Sequence, residues 1–98
     1  MNALRQVGVV TGASSGIGQA IALALSRLGM DLALVGRDST RLDAVAAQAS
    51  LSSVRAKAYC ADLNRDEDIC RFVSSVGRDF GSVDVIVHCA AMFRMGSI

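Results

Sequence analysis

Tryptophan is absent from these 98 residues, aromatic side chains make up 4%, and histidine occurs once. A core has to be built from Val, Ile, Leu and Ala, and no imidazole cluster is available to hold a zinc ion. The three cysteines, Cys60, Cys70 and Cys89, form no CxxC and are odd in number, so neither a disulfide framework nor a metal site is expected. They read as buried free thiols. Charge of one sign is also lacking. Nine acidic residues face ten Lys and Arg, a formal net charge of +1, so no general field draws nucleic acid or an anionic membrane. Charge recognition must be local. The longest apolar helical stretch, Ile17 to Leu28, is too short for a bilayer and carries Ser26 and Arg27. The first strand begins by about Val7, which leaves no room for a signal peptide, and a cytoplasmic location is the expectation. No internal repeat, low-complexity segment or linker interrupts a chain whose length suits one domain.

With 52% hydrophobic residues, the composition suits a parallel sheet covered by helices on both faces. The organising stretch is Val7-Gly8-Val9-Val10-Thr11-Gly12-Ala13-Ser14-Ser15-Gly16-Ile17-Gly18: an apolar valine run, a turn of small residues, and entry into an Ala- and Leu-rich helix. Where a strand hands over to a helix, the first helical N–H groups lack partners and the dipole is positive, so an anion can dock. Gly12 suits the sharp turn, Gly16 lets backbone approach a pyrophosphate, and Gly18 lets the helix pack close to the strand. The spacing is GxxxGxG, and Gln19 after Gly18 removes the GK[ST] of a phosphate-binding NTPase loop.

Along the chain, Ile17, Ile21, Leu25 and Leu28 recur at helical spacing, with Ala20 and Ala24 thinning the inner face, and Gly29 ends the helix. Asp31 to Val35 reads as a second strand. Ser39 or Thr40 is the expected cap of a helix to about Ala49, with Leu42, Val45 and Ala46 inward. Val54 to Cys60 alternates Arg55 and Lys57 with Ala56 and Ala58, as an edge strand with one wet side would. Asn64 and Glu67 have capping-box spacing before a helix with an Ile69, Phe72, Val73 and Val76 stripe, and Val83 to Val87 reads as a central strand. The fold class is α/β: a Rossmann-like, doubly wound parallel sheet of about four strands in the order 3-2-1-4. A complete sheet of this kind continues further, so one flank of strand four should be bare.

TGASSGIG closely resembles the cofactor-binding turn of the short-chain dehydrogenase/reductase family, whose members bind NAD(H) or NADP(H). The resemblance implies cofactor contacts from Gly12, Ser14, Ser15, Gly16, Ile17 and Gly18. About twenty residues on, an acidic side chain would hold the ribose 2′-OH of NAD and an arginine the 2′-phosphate of NADP. Gly36 occupies the acidic position and Arg37 follows, which resembles NADP-preferring members, with NAD the alternative. Asp62-Leu63 resembles the family's Asp-hydrophobic pair, in which the carboxylate accepts from the adenine amino group. Where the family has Asn-Asn-Ala-Gly, this chain has His88-Cys89-Ala90-Ala91, keeping one residue of four. His88 can replace an amide as donor and acceptor, whereas Cys89 is a weaker group. Cys89, Ala90 and Ala91 complete the expected cofactor contacts, and His88 reads as a strand-end structural histidine.

Hydride transfer in the family uses a YxxxK motif. Tyr59 is the only tyrosine, Leu63 stands where the lysine would be, and no catalytic residue is expected. The resemblance thus implies the NADP(H)-binding part of an oxidoreductase of alcohols or carbonyls, with the catalytic half, and the helices through which relatives assemble, beyond Ile98. The alternatives are a stand-alone, non-catalytic nucleotide-binding module and, more distantly, an S-adenosylmethionine methyltransferase, which leaves Arg37 unexplained.

Overall fold

A computed structural model describes residues 5–89. Strand β1 (Val7–Thr11) leads to α1 (Gly16–Arg27), β2 (Asp31–Gly36), α2 (Ser39–Ser50), β3 (Ala56–Cys60), α3 (Asp66–Phe80) and β4 (Val85–His88). The four strands are parallel in the order β3-β2-β1-β4. Val9 lies opposite Ala33 and Thr11 opposite Val35, Val10 opposite Val87, and Leu34 opposite Ala58.

Because successive strand residues face opposite sides, β1 and β2 feed two cores. Val10, Leu32 and Leu34 pack with Ala22 of α1 and Leu42, Val45 and Ala49 of α2. Val9, Ala33 and Val35 pack on the other side with Val76, flanked by Phe72 and Phe80 of α3 and by Tyr59. The doubly wound expectation holds, with two helices on one face and one on the other. Asp84 secures the start of β4: its carboxylate accepts from the Val7 amide at 2.8 Å, while its own amide donates to the Val7 carbonyl at 2.8 Å.

Several local expectations need correction. In α1, Ile21 and Leu25 pack against the core as expected, but the fully buried residues are Gly18, Ala22 and Ser26, while Ile17 and Leu28 are exposed and so are Ala20 and Ala24. A helix lying close on a sheet selects small side chains over merely apolar ones, and Ser26 satisfies its hydroxyl on the Leu23 carbonyl at 2.7 Å. Gly29 does end α1, with φ of 87°. Asp38, rather than Ser39 or Thr40, caps α2 by accepting from the Arg41 amide at 3.1 Å. The capping box at Asn64 does not form, since α3 starts after Arg65 with no side-chain cap. Ile69 and Val73 are exposed, so only half of the α3 stripe is covered. Cys60 and Cys70 are exposed, and only Cys89 is a buried thiol. The bare flank expected of strand four is present: among the described residues β4 pairs only with β1, and Ile86 is 68% exposed.

Candidate functional site: a cleft at the carboxyl ends of the strands

After β1 the chain goes to one face of the sheet, and after β3 to the other. Their loops part where the strand order reverses, which opens a crevice at the carboxyl ends of the strands. This crevice is an open cleft of about 1130 Å³, walled by Gly12, Ser14 and Ser15, by Val35 to Ser39, by Ala61 to Asn64, and by His88.

Its floor is the turn between β1 and α1. Gly12 has φ of 67°, the left-handed region that glycine enters without strain. The Ala13 amide donates to the Val35 carbonyl at 3.0 Å, tying the turn to β2. Ser15 caps α1: its hydroxyl accepts from the Gly18 amide at 3.1 Å and donates to the Gly12 carbonyl at 2.8 Å. A Cβ at Gly18 would stand 2.1 Å from the Gly12 carbonyl oxygen, so this close approach requires glycine. A Cβ at Gly16 would meet nothing within 4 Å. Among the described residues nothing accepts from the Gly16 and Ile17 amides, and the first turn of α1 carries no acidic residue. The turn therefore offers two free donors at the positive end of a helix, with no carboxylate of that turn opposing an anion.

The second wall is the end of β2. Gly36 is buried, and a Cβ there would stand 2.9 Å from the Ser14 hydroxyl. Ser14 thus lies against the strand end where a larger residue would displace it. Arg37 is 74% exposed, with Nη1 3.9 Å from Asp62 Oδ2. Asp38 is engaged by α2 through its cap and through Arg41 Nε at 3.7 Å. Arg41 Nη1 also donates to the Ser14 carbonyl at 3.4 Å.

The third wall follows β3. Asp62 Oδ1 accepts from the Asn64 amide at 2.9 Å, and the Asp62 amide donates to Asp68 Oδ2 at 2.8 Å. Asp68, in the first turn of α3, thereby holds the loop that presents Asp62. At the end of β4, His88 Nδ1 and Thr11 Oγ1 lie 2.6 Å apart, a strand-to-strand bond that fits a structural histidine.

Of the twelve expected contact residues, six line the cleft: Gly12, Ser14, Ser15, Arg37, Asp62 and Leu63. Gly16, Ile17 and Gly18 form the opening of α1 beside it. Cys89 belongs to the core on the α1 and α2 side, with its amide bonded to the Thr11 carbonyl at 3.2 Å, and its side chain is not part of the cleft wall. Ala90 and Ala91 lie outside the described residues. Sequence reasoning missed Arg41 and Asp68. Arg41 lies three residues beyond the true cap Asp38, a spacing that identifies a first-turn side chain once that cap is recognised.

Tyr59 lies away from this cleft, in a separate recess of about 230 Å³ between β3 and α3. Its hydroxyl donates to Asp79 Oδ2 at 2.6 Å, and Lys57 Nζ reaches the same oxygen at 2.9 Å. Burial, reinforced by the bond to the Asp79 carboxylate, pushes the phenol well above its ordinary value. The bonds from Tyr59 and Lys57 hold Asp79 below its own.

No described helix is long and apolar enough to cross a membrane, and the described residues contain no cluster of three or more His, Cys, Asp or Glu that could hold a metal ion. An uncharacterized oxidoreductase of Staphylococcus epidermidis is 42% identical over 85 residues, covering 87% of this chain and 36% of the relative. An alcohol dehydrogenase from the archaeon Thermococcus sibiricus, complexed with 5-hydroxy-NADP, superposes with a TM-score of 0.82 at 39% identity, covering 85% of this chain and 36% of that one. An NAD+-bound xylitol dehydrogenase gives a TM-score of 0.81 at 34% identity, covering 87% of this chain and 33% of that one. The chain thus spans about a third of the length of these proteins. With the short chain dehydrogenase family model matching residues 6–98, and the glycine turn and strand order already in place, the chain belongs to the short-chain dehydrogenase family.

Proposed function

We propose that residues 1–98 are the NADP(H)-binding portion of a dinucleotide-binding domain, from an oxidoreductase that moves hydride between NADP(H) and an alcohol or carbonyl. The observation that carries this reading is the pair of free amides at Gly16 and Ile17, at the opening of α1 next to an open cleft lined by Ser14, Ser15, Arg37 and Asp62. Pyrophosphate oxygens would accept from those amides, and adenine would donate its amino group to Asp62. The bound cofactor would supply the hydride; the described residues supply binding and orientation.

Two observations favour NADP over NAD. Position 36 has no carboxylate for a ribose 2′-OH, and a side chain there would collide with Ser14. Asp38, the other acid within reach, is taken up by its cap and by Arg41. The solved relatives include proteins holding each coenzyme, so affinity is the discriminating quantity.

The described residues offer no candidate for hydride-transfer catalysis. A catalytic tyrosine needs a pKa near working pH, whereas the Tyr59 phenol is raised and sits outside the cleft. The catalytic tyrosine and lysine would belong to regions of the relatives that have no counterpart in this chain. The near-neutral charge gives no field for nucleic acid, and a cytoplasmic setting suits the proposal.

Calorimetric titration of this chain with NADPH and with NADH tests the reading. A charge-assisted contact to the 2′-phosphate predicts NADPH tighter by roughly ten- to a hundredfold. Equal affinities, or tighter NADH, would refute the NADP assignment. Heat from neither would refute coenzyme binding altogether.

A further inference from the structure

We propose that the free edge of β3, with the recess beside it, is a docking site for an extended acidic peptide segment that adds to the sheet as a further strand. The Leu32 amide donates to the Arg55 carbonyl at 2.8 Å and the Ala61 amide to the Gly36 carbonyl at 2.9 Å, on either side of an unbroken register that sets Leu32 opposite Ala56 and Gly36 opposite Cys60. Alternate residues of a strand bond the same neighbour, so Arg55, Lys57, Tyr59 and Ala61 serve β2. The amides and carbonyls of Ala56, Ala58 and Cys60 point the other way, and no described strand pairs with them. Such an edge is ordinarily blunted by proline, by a bulge, or by charged side chains lying over it. This sequence has no proline, the register carries no bulge, and the charges are drawn down onto α3. Lys57 Nζ bonds Asp79 Oδ2 at 2.9 Å, while Arg55 donates to the Asp79 carbonyl and lies 4.4 Å over the Phe80 ring.

The recess of about 230 Å³ adjoins this edge, with the Tyr59 and Phe72 rings, 5.6 Å apart, and the polar groups of Arg71 and Ser75 in its walls. It is smaller than the roughly 300 Å³ at which small-molecule pockets begin, and it suits one side chain of an added strand. Charge selects the occupant. The two carboxylates here are covered and engaged: Asp68, 19% accessible, holds Arg71 and the Asp62 amide, and Asp79, 20% accessible, holds Lys57 and Tyr59. Their cationic partners Lys57 and Arg71 are 55% and 70% accessible, so an incoming chain meets positive charge. A glutamate would lay its methylenes on the rings and its carboxylate against Arg71. A second copy joined through β3 would instead bring its own Arg55 and Lys57 against these, and like charges across a pair of strands repel. The free flank of β4 presents the apolar Ile86 and makes no such selection.

The probe is an end-blocked Val-Glu-Val-Glu-Val peptide, added to the isotope-labelled chain beside a Val-Lys-Val-Lys-Val control and followed by amide shifts and hydrogen exchange. The expected result is slowed exchange at the Ala56, Ala58 and Cys60 amides with little change at Lys57 and Tyr59, an alternation that strand addition produces and a loose electrostatic contact does not. Arg71→Gln is expected to weaken binding about fivefold, the upper range of an exposed ion pair. Ala58→Pro removes an outward amide while leaving β2 its donors, and is expected to abolish binding. Absence of the alternation, equal affinity for the lysine peptide, or binding unaffected by either substitution overturns the proposal. Should Ala58→Pro fold poorly, the exchange pattern and the peptide comparison in the wild type decide alone. Protection of the same three amides on raising the chain concentration without peptide would assign the edge to a second copy and likewise overturn it.

Discussion

The two faces of the sheet are covered in different ways. On the α1 and α2 side, Val10, Leu32, Leu34 and Leu42 are fully buried among interlocking aliphatic groups. On the α3 side, Val76 is the only buried residue of a 15-residue helix, and polar contacts do much of the fastening: Tyr59 and Lys57 to Asp79, and Asp68 to the Asp62 amide. The helix openings differ in parallel. α3 carries Asp66, Glu67 and Asp68 in its first turn, so its positive end meets carboxylates of its own chain, whereas α1 carries none. A helix that packs tightly and keeps its opening free of acid is fitted to hold a foreign anion in a fixed place.

The largest break in this contrast should come from Leu34→Ala, which removes a fully buried β2 side chain from the core shared with α1 and α2 and is expected to cost about 2–5 kcal/mol. Val76→Ala on the opposite face should cost roughly 1.5 kcal/mol, in proportion to the groups removed. Urea unfolding of both variants checks the ranking, and equal costs would show that the two cores contribute alike.

A finer test compares two glycines of one turn. Gly18→Ala drives a methyl into the Gly12 carbonyl and should destabilise the chain by about 1–3 kcal/mol while abolishing NADPH binding. Gly16→Ala meets open space, so the melting temperature should hold while coenzyme affinity falls. Parallel thermal melts and titrations distinguish the packing role from the binding role.

The smallest effect concerns the polar fastening of α3. Because its folded pKa is raised, Tyr59 stabilises the fold below its ordinary value of 10.0, and that contribution is lost as pH rises through the folded value. Asp79, held below its ordinary 3.8, stabilises above that value and loses its contribution as pH falls through the lowered one. Tyr59 is the only tyrosine, so phenolate absorbance reports it alone. A folded-state midpoint above 10.0 is expected, and an ordinary midpoint would remove the bond to Asp79 from the account.

Strand order and the glycine turn were legible because each depends on short-range pattern, valine runs and glycine spacing, whereas Arg37 and Asp62 were singled out through the family resemblance of the segments after β2 and β3. The buried face of α1 was legible only in part: Ile21 and Leu25 pack against the core and Gly18 makes the close approach as expected, whereas Ala22 and Ser26 are selected for size by close packing and the apolar Ile17 and Leu28 stay exposed. Asp68 and Arg41 escaped for another reason. Asp68 lies six residues from the Asp62 amide it holds, across a loop whose bend only the fold defines. Arg41 meets Ser14 across 27 residues, and only the pairing of β1 with β2 brings them together.

The anion site at the opening of α1 is the centre of the proposed coenzyme cleft. Amide chemical shifts recorded during NADPH addition locate binding residue by residue. The prediction is large shifts at Ser14, Ser15, Gly16, Ile17 and Gly18, with smaller ones at Arg37 and Asp62. Shifts confined to the Tyr59 and Asp79 side of α3, or none at saturating NADPH, would contradict it.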